Sequence, residues 1–295
     1  FFFHAQAGIR DPLWSRGLGD VYKRQLLFKL LPLSIARKLG VSITTSLGPL
    51  FSINKLVKKN LRIAFKDQDE KWINTKAKKV WENLGYTIAE YSHLKQILKD
   101  KINVIENDLY REAFSGSERS IIISAHNSNW EIPGMSIRKT MHRTSAIVRE
   151  PNNPLINFVL KNLRDKYSLR CLSKNRIGTK QLLNNFKNGE SIALLADLQL
   201  SSGINLNFFG KRMKFSSLPA QLALKSGCKI FLGWPIRKND GKFEFEIHQS
   251  IHASDYKDTS DNVEKISEII IAFYESMIKK YPEQYFWFHN RWKLD

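Results

Sequence analysis

His126 and Glu131 are the residues whose types and spacing first suggest chemistry. A histidine with a carboxylate five positions later offers a general base and an acid able to orient it. The run Ser-Ile-Ile-Ile-Ser-Ala ahead of His126 is short and β-branched, the pattern of a strand buried on both faces. A histidine released where such a strand ends stands at the edge at which α/β sheets bind ligands. The competing reading is a helix capping box from Ser128 to Glu131, which Pro133 weakens because it falls just past the first turn.

The same arrangement recurs downstream. Residues 191–196 predict a second buried strand that ends at Asp197, a residue suited to holding an arginine or an acceptor sugar, or to capping a turn. Residues 145–148 predict a strand ending at Arg149, and a helix over 153–167 carries Arg164. Arginine's planar fork grips phosphate or carboxylate through two bonds, so both are candidate substrate-binding residues. Further strands are expected at 171–172, 228–235 and 243–247. Helices are expected over 75–99, 133–141, 178–186, 261–280 and from Pro219 to Ser226. Strands alternating with helices indicate an α/β domain with a mixed, mainly parallel sheet.

Composition narrows the class. The 295 residues are 42% hydrophobic and 12% aromatic, enough for a sizeable core, and 47 Lys and Arg against 28 Asp and Glu give a net charge of +19. Such a surplus suits an anionic membrane, nucleic acid or an acidic partner. Two cysteines, Cys171 and Cys228, provide neither a disulfide framework nor metal-ligand spacing. Residues 1–25 follow no helical or strand period and read as a non-native sequence scar. Residues 26–100 read as an N-terminal membrane-associated helical region, and 101–295 as the α/β domain. Residues 26–51 are apolar with interspersed Lys29, Arg37 and Lys38, but hold no uninterrupted span long enough to cross a bilayer. They suit helices lying in a membrane interface or packed on the domain.

Several blocks, in order, resemble the lipid A biosynthesis lauroyl/myristoyl acyltransferase family of Gram-negative bacteria. His126-Asn-Ser-Asn-Trp-Glu131 is similar to its H-x4-E block, and Asn60-Leu-Arg-Ile-Ala-Phe65 to its upstream N-L-x-x-x-F segment. Arg149-Glu-Pro-Asn-Asn-Pro154 with Arg164 resembles R-x-x-x-N-P…R. The stretch from Gly189 to Asp197 with Phe208-Phe-Gly210 resembles G-E…D-Q…F-F-G. The ending from Pro282 to Lys293, which includes Arg291, resembles P-E-Q-w-x-W-x-H-x-R-w-K. One departure stands out: Leu198 separates Asp197 from Gln199, where the family pairs Asp and Gln directly. The likeness spans roughly residues 26 to 295.

The resemblance implies a glycerolipid-acyltransferase-like α/β sandwich and an O-acyltransferase. His126 and Glu131 are then catalytic, His126 as base and Glu131 as its orienting acid, with Arg149, Arg164, Asp197 and Arg291 as substrate-binding residues. The implied donor is acyl-acyl carrier protein, and the implied acceptor a Kdo-bearing lipid A precursor at the cytoplasmic face of the inner membrane. Transfer is direct, without an acyl-enzyme, and needs no cofactor or metal. Anionic inner-membrane lipid is the expected surface. Phe208-Phe209-Gly210, or the loop before Pro219, is a candidate acyl-pocket lining, with ordinary packing as the alternative. Rival readings are acyl transfer to a lysophospholipid or another glycolipid, and a basic nucleic-acid-binding protein. No nucleic acid is expected, because the aromatics fall on predicted strands and helices as core and no recognition motif appears.

Overall fold

The computed structural model describes residues 28–115, 118–140, 143–148, 150 and 154–292. The 1–25 segment and Arg149 therefore lie outside the described residues. The N-terminal part of the described residues carries the helices α1 (Leu33–Leu47), α2 (Ile53–Ala64), α3 (Glu70–Glu90) and α4 (Leu94–Asp100). Asp69 starts α3 by accepting from the Trp72 N–H at 2.7 Å. A 3₁₀ turn at Tyr91–His93 breaks what the sequence pattern presents as one helix over 75–99. The break lets α4 turn away while Tyr91 points into the interior, where it is 6% exposed.

The rest alternates strands and helices: β1 (Ile102–Val104), α5 (Asp108–Ser115), β2 (Ile121–Ser124), α6 (Ile132–Lys139), β3 (Thr144–Val148), α7 (Pro154–Tyr167), β4 (Arg170–Ser173), α8 (Arg176–Lys187) and β5 (Ser191–Leu195). A two-stranded hairpin, β6 (Ile204–Phe208) and β7 (Lys211–Phe215), precedes α9 (Leu218–Ser226), β8 (Lys229–Arg237), β9 (Phe243–His252) and α10 (Ser260–Lys280). Seven strands form one sheet in the order β1-β9-β8-β2-β5-β3-β4. Every neighbouring pair is parallel except β8 with β9. The α/β class and mixed, mainly parallel sheet expected from the alternating pattern are both present.

β2 lies between β5 and β8, and its pleat decides the two cores. Ile121 and Ile123 join one apolar cluster with α2, α3, α8, α9, α10 and the hairpin. Ile122 points the other way, into a cluster with α4, α5, α6 and α7. All three are at most 1% exposed. Each such burial contributes about 1.5–3 kcal/mol, which explains why the strand is isoleucine on both faces.

α1 lies on α3 with almost no space between the backbones. A Cβ at Gly85 would come within 2.6 Å of the Gly40 carbonyl oxygen. Thr44 Oγ1 donates to the Trp81 carbonyl at 2.7 Å across the same contact. Gly85→Ala is expected to cost about 1–3 kcal/mol by overpacking. A thermal melt would show this as a lower Tm, and an unchanged Tm would mean the helices separate freely. The outer side of α1 and the turn after it expose Ile35, Ile43, Leu47, Leu50 and Phe51. The described part of the 26–51 segment thus packs on the domain and keeps an apolar outer face. Among the described residues, no helix is long and apolar enough to cross a membrane.

Candidate active site

The parallel register of β2 and β5 assembles the site. Ser124 pairs with Leu195, so two further steps on each strand place His126 beside Asp197. The His126 Nδ1 lies 2.7 Å from Asp197 Oδ1, and the His126 backbone N–H donates to the same oxygen at 3.1 Å. Asp197 Oδ2 accepts from Arg291 Nη2 at 2.9 Å. Burial opposes ionisation of Asp197, but His126 and Arg291 outweigh it and hold the carboxyl well below the usual carboxylate range. A fixed carboxylate at Nδ1 keeps the proton on that nitrogen and leaves Nε2 as the basic one.

This corrects the expectation for Glu131, which makes no hydrogen bond to the His126 ring. Arg164 grips it instead, with Nε donating to both carboxylate oxygens at 3.0 and 3.2 Å and Nη2 donating to Oε1 at 2.7 Å. The Tyr91 hydroxyl donates to Oε1 at 2.7 Å and accepts from the Trp130 indole at 2.9 Å. Burial opposes charge on Glu131, and Arg164 and Tyr91 overcome it, so its carboxyl titrates below the ordinary value. The linear spacing puts Glu131 near His126. The neighbouring strand nevertheless offers Asp197 at shorter reach, and the guanidinium fork of Arg164 claims both oxygens of Glu131.

Arg291 is corrected as well. It is fully buried, donating from Nε to the Tyr285 hydroxyl at 2.7 Å and from Nη1 to the Phe286 carbonyl at 2.7 Å as well as to Asp197. No substrate touches a guanidinium so enclosed; Arg291 fixes Asp197 and the tail around it. Asp197 likewise holds an arginine and the histidine, and is only 1% exposed. Arg164, with its side chain 15% exposed, is the expected arginine that does reach the cavity.

The turn carrying His126 is held in an unusual backbone conformation. Ser128 has φ of 51°, a left-handed value for a non-glycine residue. α3 and the chain end secure it. The Ser128 carbonyl accepts from Thr87 Oγ1 at 2.9 Å and Asn83 Nδ2 at 3.1 Å, and its N–H donates to the Gln284 carbonyl at 2.6 Å. The Phe286 N–H donates to the His126 carbonyl at 2.8 Å. Asn129 donates to Glu90 at 2.9 Å, and Glu90, fully buried, is also paired with Arg37 from α1 and Arg237 from β8. The capping box does not form; α6 begins at Ile132, with Pro133 in its first turn, where it is tolerated.

His126 opens onto a cavity of about 610 Å³. Its polar lining includes His126, Glu131, Arg164, Gln199, Ser217 and His289. Its floor is a row across four adjacent strands, Ile122–Ala193–Ala146–Cys171, set by the sheet register. Two alanines and a cysteine in that row leave room that larger side chains would fill, and Gly134, Leu160 and Leu169 complete an apolar wall. Burial pushes the Cys171 thiol up to about 12, so it is not an activated nucleophile. Of the expected acyl-pocket residues, the loop before Pro219 does line the cavity, through Ser216 to Pro219. Phe208 and Phe209 do not; they are core residues at the turn of the β6–β7 hairpin. Among the described residues, no cluster of His, Cys, Asp and Glu could hold a metal ion.

A curated relative, the phosphatidylinositol mannoside acyltransferase of Mycolicibacterium smegmatis, is 21% identical over 204 residues, which is 67% of this chain. The match spans 64% of that relative's length, less than two thirds. The crystal structure of the 1-acyl-sn-glycerophosphate (LPA) acyltransferase PlsC from Thermotoga maritima is similar at 13% identity with a TM-score of 0.40, over 82% of this chain and 98% of that one. Residues 24–294 match the family described as bacterial lipid A biosynthesis acyltransferase. The chain belongs to the bacterial lipid A biosynthesis acyltransferase family.

Proposed function

We propose that this protein transfers a fatty acyl chain from a thioester donor to a hydroxyl of a membrane lipid, with His126 as general base and Asp197 as its orienting acid. The observation that carries this reading is the His126–Asp197 pair, with His126 lining a largely apolar cavity. The acceptor oxygen attacks the thioester carbonyl carbon while its proton passes to His126 Nε2. The carbon–sulfur bond then breaks, and the imidazolium returns the proton to the departing thiolate. Neither His126 nor Asp197 bonds covalently to the acyl group, and the protonated Cys171 is no rival nucleophile, so transfer is direct. Arg164, held by Glu131, keeps Nη1 for an anionic group on the substrate.

The acceptor we favour is a Kdo-bearing lipid A precursor and the donor acyl-acyl carrier protein, as the family name and the resemblance of the blocks suggest. The net charge of +19 suits an acidic donor protein and an anionic leaflet alike. The exposed apolar residues of α1, with basic Lys38, Lys55 and Lys59 nearby in the chain, suit the cytoplasmic face of the inner membrane. Each basic residue near that surface contributes about 1 kcal/mol. A second reading, transfer to a different glycolipid, draws on the relative named for a phosphatidylinositol mannoside. The test offers acyl-carrier-protein and coenzyme A thioesters against a Kdo-bearing precursor, a mannosylated phosphatidylinositol and a lysophospholipid in vesicles. A gain of one acyl chain on the Kdo-bearing lipid from the carrier-protein donor supports the first reading. Gain only on another acceptor replaces it.

The cavity floor makes a prediction about chain length. Ala193→Leu places a larger side chain in the row beside Ile122 and Ala146. With about 0.8 kcal/mol lost per methylene denied burial, a donor two methylenes too long should lose roughly tenfold in kcat/KM. Competition between donors of different length would show the preference moving to the shorter chain. An unchanged preference would mean that the chain lies elsewhere.

A further inference from the structure

His289 has no place in the mechanism so far, yet it faces the reaction. Its ring lines the same cavity as His126, with the two ring centroids 6.0 Å apart and the planes at 74°. It is only 4% exposed and packs edge-on against Phe286 at 5.0 Å. Its backbone is pinned: the His289 carbonyl accepts from Asn60 Nδ2 at 2.7 Å and from the Arg291 N–H at 3.0 Å. Among the described residues, neither ring nitrogen has a hydrogen-bond partner. A buried imidazole held this firmly, with its polar edge turned to a cavity and unpartnered, is completed by a ligand.

We propose that His289 donates a hydrogen bond to the acyl carbonyl oxygen as that oxygen gains negative charge in the tetrahedral intermediate. The inference rests on the acyl-transfer reading above. The two imidazoles pack edge to face at 6.0 Å and line one cavity, so a reacting carbon held in that cavity in front of the pair faces both rings. The attacking hydroxyl lies within reach of His126, and the carbonyl oxygen within reach of the second ring. His126 and His289 therefore divide the work, one taking the proton and the other holding the charge.

The surroundings keep His289 suited to that task. Burial, the Arg291 guanidinium and the neighbouring His126 all disfavour its imidazolium and outweigh Asp197, so it stays neutral. A neutral imidazole always carries one N–H and can polarise a carbonyl without competing as an acid. Fixed donors aimed at developing charge act without reorganisation, and losing one costs about 10²–10³ in kcat.

The experiment compares His289→Phe and His289→Gln with wild type and His126→Ala. It measures acyl transfer and, without acceptor, slow hydrolysis of the acyl-thioester donor. Hydrolysis passes through the same oxyanion but needs no acceptor lipid. We expect His289→Phe to lower both rates by about 10²–10³, with acceptor KM unchanged and Tm near wild type. Glutamine retains an N–H donor and is expected to recover at least about tenfold over phenylalanine. Unchanged hydrolysis with a raised acceptor KM would make His289 an acceptor contact and overturn the proposal. Equal losses in the two variants, or no loss in either, would overturn it as well. If His126→Ala transfers at the wild-type rate, the acyl-transfer reading fails first. If His126→Ala is inactive and His289→Phe is not, only this inference fails.

Discussion

His126→Ala is expected to lower kcat for acyl transfer by about 10²–10⁴ while leaving Tm and donor KM close to wild type. The His126 imidazole lines the cavity with its basic nitrogen set by a carboxylate on the other side of the ring. Its Nδ1 is committed to Asp197 at 2.7 Å, and its side chain is 21% exposed, open to a substrate on the other side. The fold depends little on the ring, because the backbone of the turn is fixed through Ser128, Asn129 and Phe286. A variant that kept full kcat would remove His126 from the chemistry.

Asp197→Asn is expected to be comparably damaging, by about 10³–10⁴ in kcat. An amide facing Nδ1 can donate as well as accept, so it permits the tautomer with the proton on Nε2, which cannot act as base. Glu131→Gln is expected to act differently, because Glu131 holds Arg164 and Tyr91 and does not touch the ring. Its loss should appear mainly as a raised KM for an anionic substrate. Equal kcat losses in the two variants, with KM unchanged, would restore Glu131 to the role that spacing alone suggests.

Asp197 also sets an acid limit on stability. Its folded carboxyl titrates below the ordinary value of about 3.9. Its stabilising contribution is therefore complete above that pH and declines as pH falls toward the depressed folded value. The wild-type Tm should drop more steeply than that of Asp197→Asn as the pH is lowered through 4. Parallel Tm curves would show that the Asp197 carboxylate is not held in the folded state.

Sequence carried much of this, unevenly. Ile121 to Ile123 and the 191–196 run announce buried strands because both faces are apolar, and each visibly ends in a polar residue. That His126 meets Asp197 could not be read, since the two lie 71 positions apart and two strands intervene before the chain inserts β5 beside β2. Glu131 is near His126 in sequence, but the competing grip of Arg164 depends on where α7 packs. Arg291 reads as a substrate residue from its chemistry, but its burial comes from tertiary structure alone. The β6–β7 hairpin was legible in principle. Leu206, Phe208, Met213 and Phe215 are buried while Asn205, Asn207, Arg212 and Lys214 point out, and Gly210 sits in the turn at φ of 70°. From sequence alone, the aromatic pair at its tip suits a pocket lining equally well. His289 stood in the sequence beside Arg291, but nothing in the linear pattern shows its ring turned toward His126.

The most direct test of base-catalysed acyl transfer is mass spectrometry of a hydroxyl-bearing lipid acceptor in vesicles after incubation with an acyl-thioester donor and the protein. The account predicts a gain of one acyl chain on the lipid with wild type and a gain at least about a hundredfold slower with His126→Ala. Equal gain with both proteins, or no gain on any acceptor with wild type, would contradict it.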